Sequence, residues 1–573
     1  MSIQSEITRL STAKANLRTA IEGKGVTVSS DAKLDAYPSL VSSIEQGGGG
    51  GGISVKFLNL ITGETMKQMT VEEGYELEAA DFPAASNLVE TADHPAFNFA
   101  NWSVAAGTVI KRPRVILAYY DKVDKTKNEY YCNVRAGQPI NIGVDNGSTV
   151  DWGDGSATET FDSRQWASHT YAVAGSYKVT MTGTLYCNLD YSEFACPFIR
   201  IYAGESNVTF TSGLPFLQVL EYLYLKDATY SASGSNWFKD SALRVVTMAP
   251  GGAIRSSAFH GCVGLVGVGL GTVPLDAGYS TPSSIFQGCV SLEDISLPCK
   301  LGTSMFESCT ALKNVEFLVE ITSIAEYAFN FCSALESFEL PSTITTINTY
   351  SFANCYSLKS ITLPQGLTTI GTNAFNNCKS LATIELPDAL TSIGNSAFAG
   401  CSVLSAIEIP AGVSSLGSGV FSECRLLLEI TLHEGLTSIA ELAGTSVSEL
   451  DIPDTVITLG PYALSYLYRL SKLVLPPDLS SIAMNLCYNN RNLTEIDVPA
   501  SVTVINSGAF SFTSAPSKFS RIIRMHGSTP PTLNSADAIP AITGLRIIVP
   551  AGSLSDYTTA WSGLAAYIEE AAA

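Results

Sequence analysis

Cys309, Cys332, Cys355, Cys378, Cys401 and Cys424 follow one another at intervals of 23 residues. Thiols so regularly placed invite metal binding or disulfide exchange. A tetrahedral zinc site needs ligands converging from several directions. Here each thiol lies between a Phe three residues before it and a Leu three after it, one thiol per layer, and a single row cannot close around an ion. Thirteen cysteines is an odd number, so they cannot all pair within one chain. The row is read as small apolar core filler, with no metal and no cofactor assigned. Five histidines, His94, His169, His260, His433 and His526, share no helical or zinc-type spacing, and HExxH is absent. GxSxG and the phosphate-binding GxxxxGK[ST] are absent too. The carboxylate pair of a glycosidase cannot be picked out where repeats supply acids in ladders. No catalytic residue is assigned, and the chain is read as a non-enzyme.

Two sets of residues remain that could bind something. The first is a row of acids at one repeated position: Glu316, Glu339, Glu385, Glu408, Asp451 and Asp497, with Ser296, Thr362, Thr431 and Val474 at the other copies. A neighbouring row adds Asp294, Glu429, Glu449 and Glu495, interrupted by Lys472. Like charges stacked about 5 Å apart repel by roughly 0.2–1 kcal/mol per pair. Such a face either keeps the surface solvated or docks a basic partner or cations. The second set is aromatic: Tyr222 and Tyr224 alternate with inward leucines and are expected to face out, with Tyr230, Tyr466 and Tyr468 as further candidates. Aromatic faces stack on sugar rings and anchor protein interfaces.

The elements that must position these residues are legible from the period. Phe329, Phe352, Phe375, Phe398 and Phe421 precede a Cys by three; Leu335, Leu358, Leu381, Leu404 and Leu427 follow one by three. In "SLATIELP", Leu381, Ile384 and Leu386 point one way and Thr383 and Glu385 the other, the period of a short strand. Pro387 lacks the N–H needed to extend it. "LTSIG" predicts a second extended piece and "NSAFAGC" a tight return. One unit cannot bury its apolar edge alone, so about fourteen units from 190 to 520 must stack into a solenoid. The pattern resembles the BspA-like leucine-rich repeats, the 23-residue class of bacterial surface proteins and of some phage and protozoan proteins. That resemblance implies a mainly β leucine-rich-repeat solenoid. Residues 521–573, with "LRIIVPAGSLSDYTTAWSGLAAYI", resemble the ending of such arrays: a last strand at Arg546 to Val549, then Trp561 and Tyr567 on a capping helix.

The first part of the chain divides otherwise. Ile3, Ile7, Leu10, Leu17 and Ile21 form a heptad-like stripe within 1–46, a helical attachment or oligomerisation segment, and 47–52 is a glycine linker. The block from Ser5 to Ile44 resembles the N-terminal block of phage tail and tail-fibre proteins. Residues 53–122 alternate like strands, with a hairpin turn at Gly63, and resemble the Listeria–Bacteroides repeat, a β-grasp module. Residues 127–183, with "VDWGDGSATETF" and "SHTYAVAGSYKVTM", resemble a polycystic-kidney-disease (PKD) β-sandwich with Trp152 in its core. These two modules are expected to act as a stalk.

The formal charge is −20 with 15% charged residues. A negative surface argues against nucleic acid and anionic membrane as partners. No apolar run is long enough to cross a bilayer, and the first residues lack the basic-then-apolar pattern of a secretory signal. The tail-like N-terminus then predicts a phage tail-fibre or receptor-binding protein of the virion, attached to other tail proteins through 1–46, with a homotrimer as the first expectation. Its solenoid would adhere to a bacterial surface protein or glycan. The alternative is a bacterial cell-surface adhesin of the BspA-like type, and a third a surface-glycan-degrading enzyme.

Overall fold

The computed structural model describes residues 53–571, apart from short segments at 73, 92–93, 104, 111–113, 138, 188–197, 205–206, 211–218, 227–228, 233–235, 249–253, 271–281 and 512–519. The helical segment 1–46 and the linker 47–52 lie outside the described residues.

The repeat folds as a β-solenoid of about 14 turns. In most turns a short strand carries the outward row, acidic in Ser337–Glu339, Ala406–Glu408 and Glu429–Thr431 and neutral in Ser360–Thr362. Pairing is parallel and in register, so Phe338 lies beside Ile361 and Glu339 beside Thr362. Identical repeat positions therefore stack, which turns a period in sequence into a row in space. The unit at 381–387 keeps the same inward Leu381 and Ile384, although its backbone makes no strand pairing there. The proline that follows begins a turn, with Leu390 N donating to Pro387 O at 2.9 Å and Val413 N to Pro410 O at 3.0 Å. The second extended pieces, from Ser323–Ile324 to Thr458–Leu459, form a seven-stranded parallel sheet.

The return is tight because two residues four apart take positive φ. Asn373 and Asn377 lie at 55° and 59°, Ser396 and Gly400 at 54° and 75°, and Asn485 and Asn489 at 55° and 63°. Asn and Gly tolerate this backbone best. Inside, Phe352, Phe375 and Phe398 stack almost parallel with centroids 5.6 and 5.5 Å apart. Each Cys thiol donates to the carbonyl of the Phe one turn back: Cys378 to Phe352 O at 3.2 Å, Cys401 to Phe375 O at 3.3 Å. Each carbonyl thereby gains a second donor beside the backbone N–H of the Cys three residues on, as Cys378 N on Phe375 O at 3.1 Å. In one turn without a Cys at this position, Asn490 takes its place and donates Nδ2 to Leu464 O at 2.7 Å. Burial pushes the Cys309 and Cys424 thiols up to about 12, so they stay protonated.

Both ends of the core are closed. Strands Asn128–Val134 and Pro139–Val144 belong to two sheets that run on into the solenoid. The first pairs antiparallel with Phe198–Tyr202, and the second reaches Asn207–Phe210 through Leu185–Cys187. Trp152 is buried in the same continuous core as the repeats. The region expected as a spacer thus continues the solenoid's own sheets. At the other end Arg521–Met525, Leu545–Val549 and Ile568–Glu570 extend the strand row. The helix Leu554–Ala560 buries Tyr557, whose hydroxyl donates to Gly527 O at 2.7 Å, and Trp561 Nε1 donates to Pro531 O at 2.9 Å. Tyr567 lies in the following 3-10 turn Ser562–Tyr567.

The first unit is a four-stranded sheet, in the order Thr65–Val71, Ile53–Asn59, Arg114–Lys122, Phe97–Trp102. It does not extend away as a stalk. It folds back on the outward side of the early solenoid strands Tyr222–Leu225, Val245–Met248 and Gly267–Leu270. Leu58, Leu60, Val115 and Leu117 pack with Tyr222 and Val245. Gly267 permits the approach: a Cβ there would lie 3.0 Å from Leu58 Cδ2 and 3.1 Å from Leu60 Cδ2.

Candidate binding face

The outward strand face has three parts. Over the early turns it is apolar and covered. Tyr222 and Tyr224 do point outward from their strand, yet they are only 5% and 2% exposed. Their hydroxyls donate to Thr62 O at 3.1 Å and Tyr120 O at 3.2 Å of the first unit. This corrects the sequence expectation: both are spent on an internal contact and offer no surface to a partner. The side chain of Tyr230 lies outside the described residues.

At the edge of that cover the acid row begins, and the first acid is already paired. Glu316 accepts from Arg114 at 2.8 Å and from Ser296 Oγ at 2.8 Å. Lys56 and Lys313 both pair with Glu293. Asp294 lies beneath this seam; burial raises its carboxyl to about 6, against the opposing pull of the Asn314 amide and Arg114.

The middle part is open to solvent. Glu339, Glu385, Glu408, Glu429, Glu449 and Asp451 are exposed. Glu385, Asp388, Glu408 and Glu429 border an open depression of about 470 Å³, and Glu408 meets His433 Nε2 at 2.7 Å. A second depression of about 730 Å³ runs from Glu316 past Glu339 to Thr362. Both are shallow and open along the strands, suited to a chain or a surface.

Towards the cap the row is neutralised again. Lys472 lies 3.6 Å from Asp497, Arg524 lies 3.7 Å from Asp497 and 4.0 Å from Glu495, and His526 lies 3.6 Å from Asp497. Glu495 and Asp497 are accordingly half-buried. The sequence placed every acid on one face and showed Lys472 among them, but not Lys56, Arg114 and Arg524, which occupy its two ends. Lys56 alternates with inward Val55 and Phe57, so its direction was readable; its partner, Glu293, lies 237 residues away. Of the other histidines, His169 stacks on Trp152 at 4.9 Å and meets Asp154 at 2.8 Å, and His260 is half-buried with its basicity lowered by that burial. Among the described residues no group of three or more His, Cys, Asp or Glu could hold a metal ion, and no helix is long and apolar enough to cross a membrane.

Stacked turns with one in-register outer row define a β-solenoid repeat protein. Three overlapping stretches, 231–356, 279–405 and 391–517, match the family described as BspA type leucine rich repeat region, and together they span half of the chain; the chain belongs to that family. Solved structures that it resembles include a leucine-rich repeat protein from Bacteroides ovatus ATCC 8483, 23% identical over 50% of this chain and 86% of that one, with a TM-score of 0.37. Another is a leucine rich cell surface protein from Faecalibacterium prausnitzii A2-165, 18% identical over 66% and 89% of the two chains, TM-score 0.33. The pneumococcal vaccine antigen PcpA is 14% identical over 76% and 98%, TM-score 0.33. No curated protein matches the chain.

Proposed function

We propose that this chain is an adhesion protein of a bacterial cell surface, and that it binds a basic protein surface through the free stretch of its strand face. The observation that carries this reading is the row from Glu339 to Asp451, exposed and in register between two ends that the molecule's own cations occupy. Arg114 on Glu316 and Arg524 beside Glu495 and Asp497 are internal examples of the contact a partner would make. Leaving like charges unpaired on a long face costs stability, and a basic ligand would relieve it. Membership of the BspA type repeats favours the adhesin over the tail-fibre reading, which rests on 1–46 outside the described residues. Binding to immobilised poly-L-lysine tests the face. It should weaken as salt rises from about 0.05 to about 0.5 M, where the screening length shortens, and weaken again in a Glu385→Gln, Glu408→Gln, Glu429→Gln variant. Salt-insensitive binding that survives all three substitutions would remove the reading. Antibody against 300–500 that decorates virion tails and leaves cells unlabelled would return the function to the tail fibre.

A further inference from the structure

The return edge, which leads into the acid row's strand in each turn, carries a second pattern. The position just after each Cys reads Ser333, Tyr356, Lys379, Ser402, Arg425, then Ser446, Tyr468 and Arg491. The register of this row is held by its serines: Ser402 Oγ donates to Lys379 O at 3.4 Å and Ser446 Oγ to Arg425 O at 2.7 Å. Twice in the row a tyrosine is followed one turn later by a cation over its ring. Lys379 Nζ lies 4.9 Å from the Tyr356 centroid, and the Arg491 guanidinium 5.4 Å from the Tyr468 centroid. All four side chains are exposed.

The corners of the same turns carry more aromatic residues. Tyr327 and Tyr350 stack at 4.9 Å, and Phe331 lies 6.5 Å from Tyr356. Tyr466 lies 6.1 Å from Tyr468 and 5.6 Å from Tyr488. Tyr327, Phe331, Tyr350 and Tyr466 all hold φ between 55° and 62°, at corners that other turns fill mostly with Asn, Ser or Gly and in two cases with Asp240 and Glu423. A bulky residue is disfavoured there, so backbone preference does not account for the aromatics. The chain as a whole is at −20, yet this row holds Lys379, Arg425 and Arg491 and, apart from its cations, only serine, tyrosine and threonine from Thr310 onward; Arg425 is paired with Glu423 at the adjoining corner, which leaves Lys379 and Arg491 over their tyrosines.

We infer that the return edge binds an acidic polysaccharide, the tyrosines packing against sugar faces while Lys379 and Arg491 meet its carboxylates or sulfates. Charge complementarity sets the sign of the ligand, since a cation already poised over a ring can turn to an anion laid on that ring. Repetition sets its length. Tyr356 and Tyr468 stand five turns apart, roughly 24 Å at about 4.8 Å per turn, so a polymer can reach both and a monosaccharide cannot. This site is separate from the acidic strand face and does not depend on it.

The test uses the full chain and polygalacturonate, with dextran as the neutral comparison, by calorimetric titration. Polygalacturonate should bind and dextran should bind at least tenfold more weakly. Digalacturonate, too short to span both plates, should also bind at least tenfold more weakly. The Lys379→Gln, Arg491→Gln variant should lose about tenfold in affinity, Tyr356→Ala with Tyr468→Ala at least as much, and Arg135→Gln, an exposed cation elsewhere, nothing. All substituted positions are exposed, and unchanged thermal melting would confirm folding. No binding of polygalacturonate, equal binding of dextran, equal binding of single-stranded DNA, or retention of affinity in both double variants would each overturn the inference.

Discussion

The same outward repeat positions meet two fates. In the early turns they hold Tyr222, Tyr224, Val245 and Thr247, all buried, and the first unit lies on them. In the middle turns they hold Glu339, Glu385, Glu408 and Glu429, all exposed. The inward rows do not change across this boundary: Phe259 and Phe286 stack at 5.5 Å, as do Phe375 and Phe398. The core is therefore set by the repeat, while the outer row is set by whatever covers it. An apolar outer row marks a face that the protein closes itself, and an acidic one marks a face left open.

The strongest way to break this contrast is to remove a residue from the covered part. Tyr224→Ala deletes a buried ring that packs against Phe97 at 5.2 Å and bonds to Tyr120. We expect a loss of about 3–5 kcal/mol, read by denaturant unfolding. Val474→Ala, at an outward position 53% exposed on the open face, should stay within about 0.5 kcal/mol. Equal effects would mean that the first unit does not rest on the solenoid.

That cover shows what the sequence displayed and what it hid. The 23-residue period displayed the turns, the stacked Phe and Cys rows and the in-register acids, because each is a local rule repeated. The cap was visible in Trp561, although Tyr557, which anchors it through Gly527, was not singled out. The alternation of Tyr222 and Tyr224 with leucines gave their direction correctly and their exposure wrongly. Direction is decided within a strand; exposure was decided by Leu58, Leu60 and Tyr120, more than a hundred residues earlier. The apolar outward neighbours Val245 and Gly267 were the signal that could have revealed a cover.

Asp294 sharpens the boundary itself. Its carboxyl is raised to about 6 by burial at the seam. A group that holds its proton more tightly when folded contributes stability that is fully present below its unfolded value, about 3.9, and is lost as pH rises through about 6. Stability should therefore fall by the order of 1–3 kcal/mol between about pH 4 and pH 6.5 on account of this group. Asp294→Asn should flatten that part of the profile in denaturant unfolding. An unchanged profile would show that the seam does not bury the carboxyl.

The inward side should not register the cover at all. Cys262 under the covered turns donates to Phe238 O at 3.1 Å, and Cys378 in the open turns donates to Phe352 O at 3.2 Å. Replacing either by Ala removes the thiol's bond and its share of the core while the carbonyl keeps its backbone donor, Ser241 N on Phe238 O and Cys355 N on Phe352 O, at about 1–3 kcal/mol, and the two losses should agree within about 0.5 kcal/mol. The native thiols should also resist a thiol reagent until the chain unfolds, since burial keeps them protonated. A markedly larger loss at Cys262 would tie the core to its cover.

The smallest effect bears most directly on function. Glu385 and Glu408 occupy the same outward position in consecutive turns, and no cation of the first unit or the cap reaches them as Arg114 and Arg524 reach the ends. Glu385→Gln should raise stability by about 0.2–1 kcal/mol at low salt, and the gain should vanish near 1 M salt, where the screening length falls to about 3 Å. The same substitution should weaken poly-L-lysine binding. A residue that destabilises the free protein and strengthens the complex is held for the complex, whereas one that merely solvates the face would leave binding unchanged. Opposite signs in the two measurements on one variant would therefore separate a binding face from a wet one.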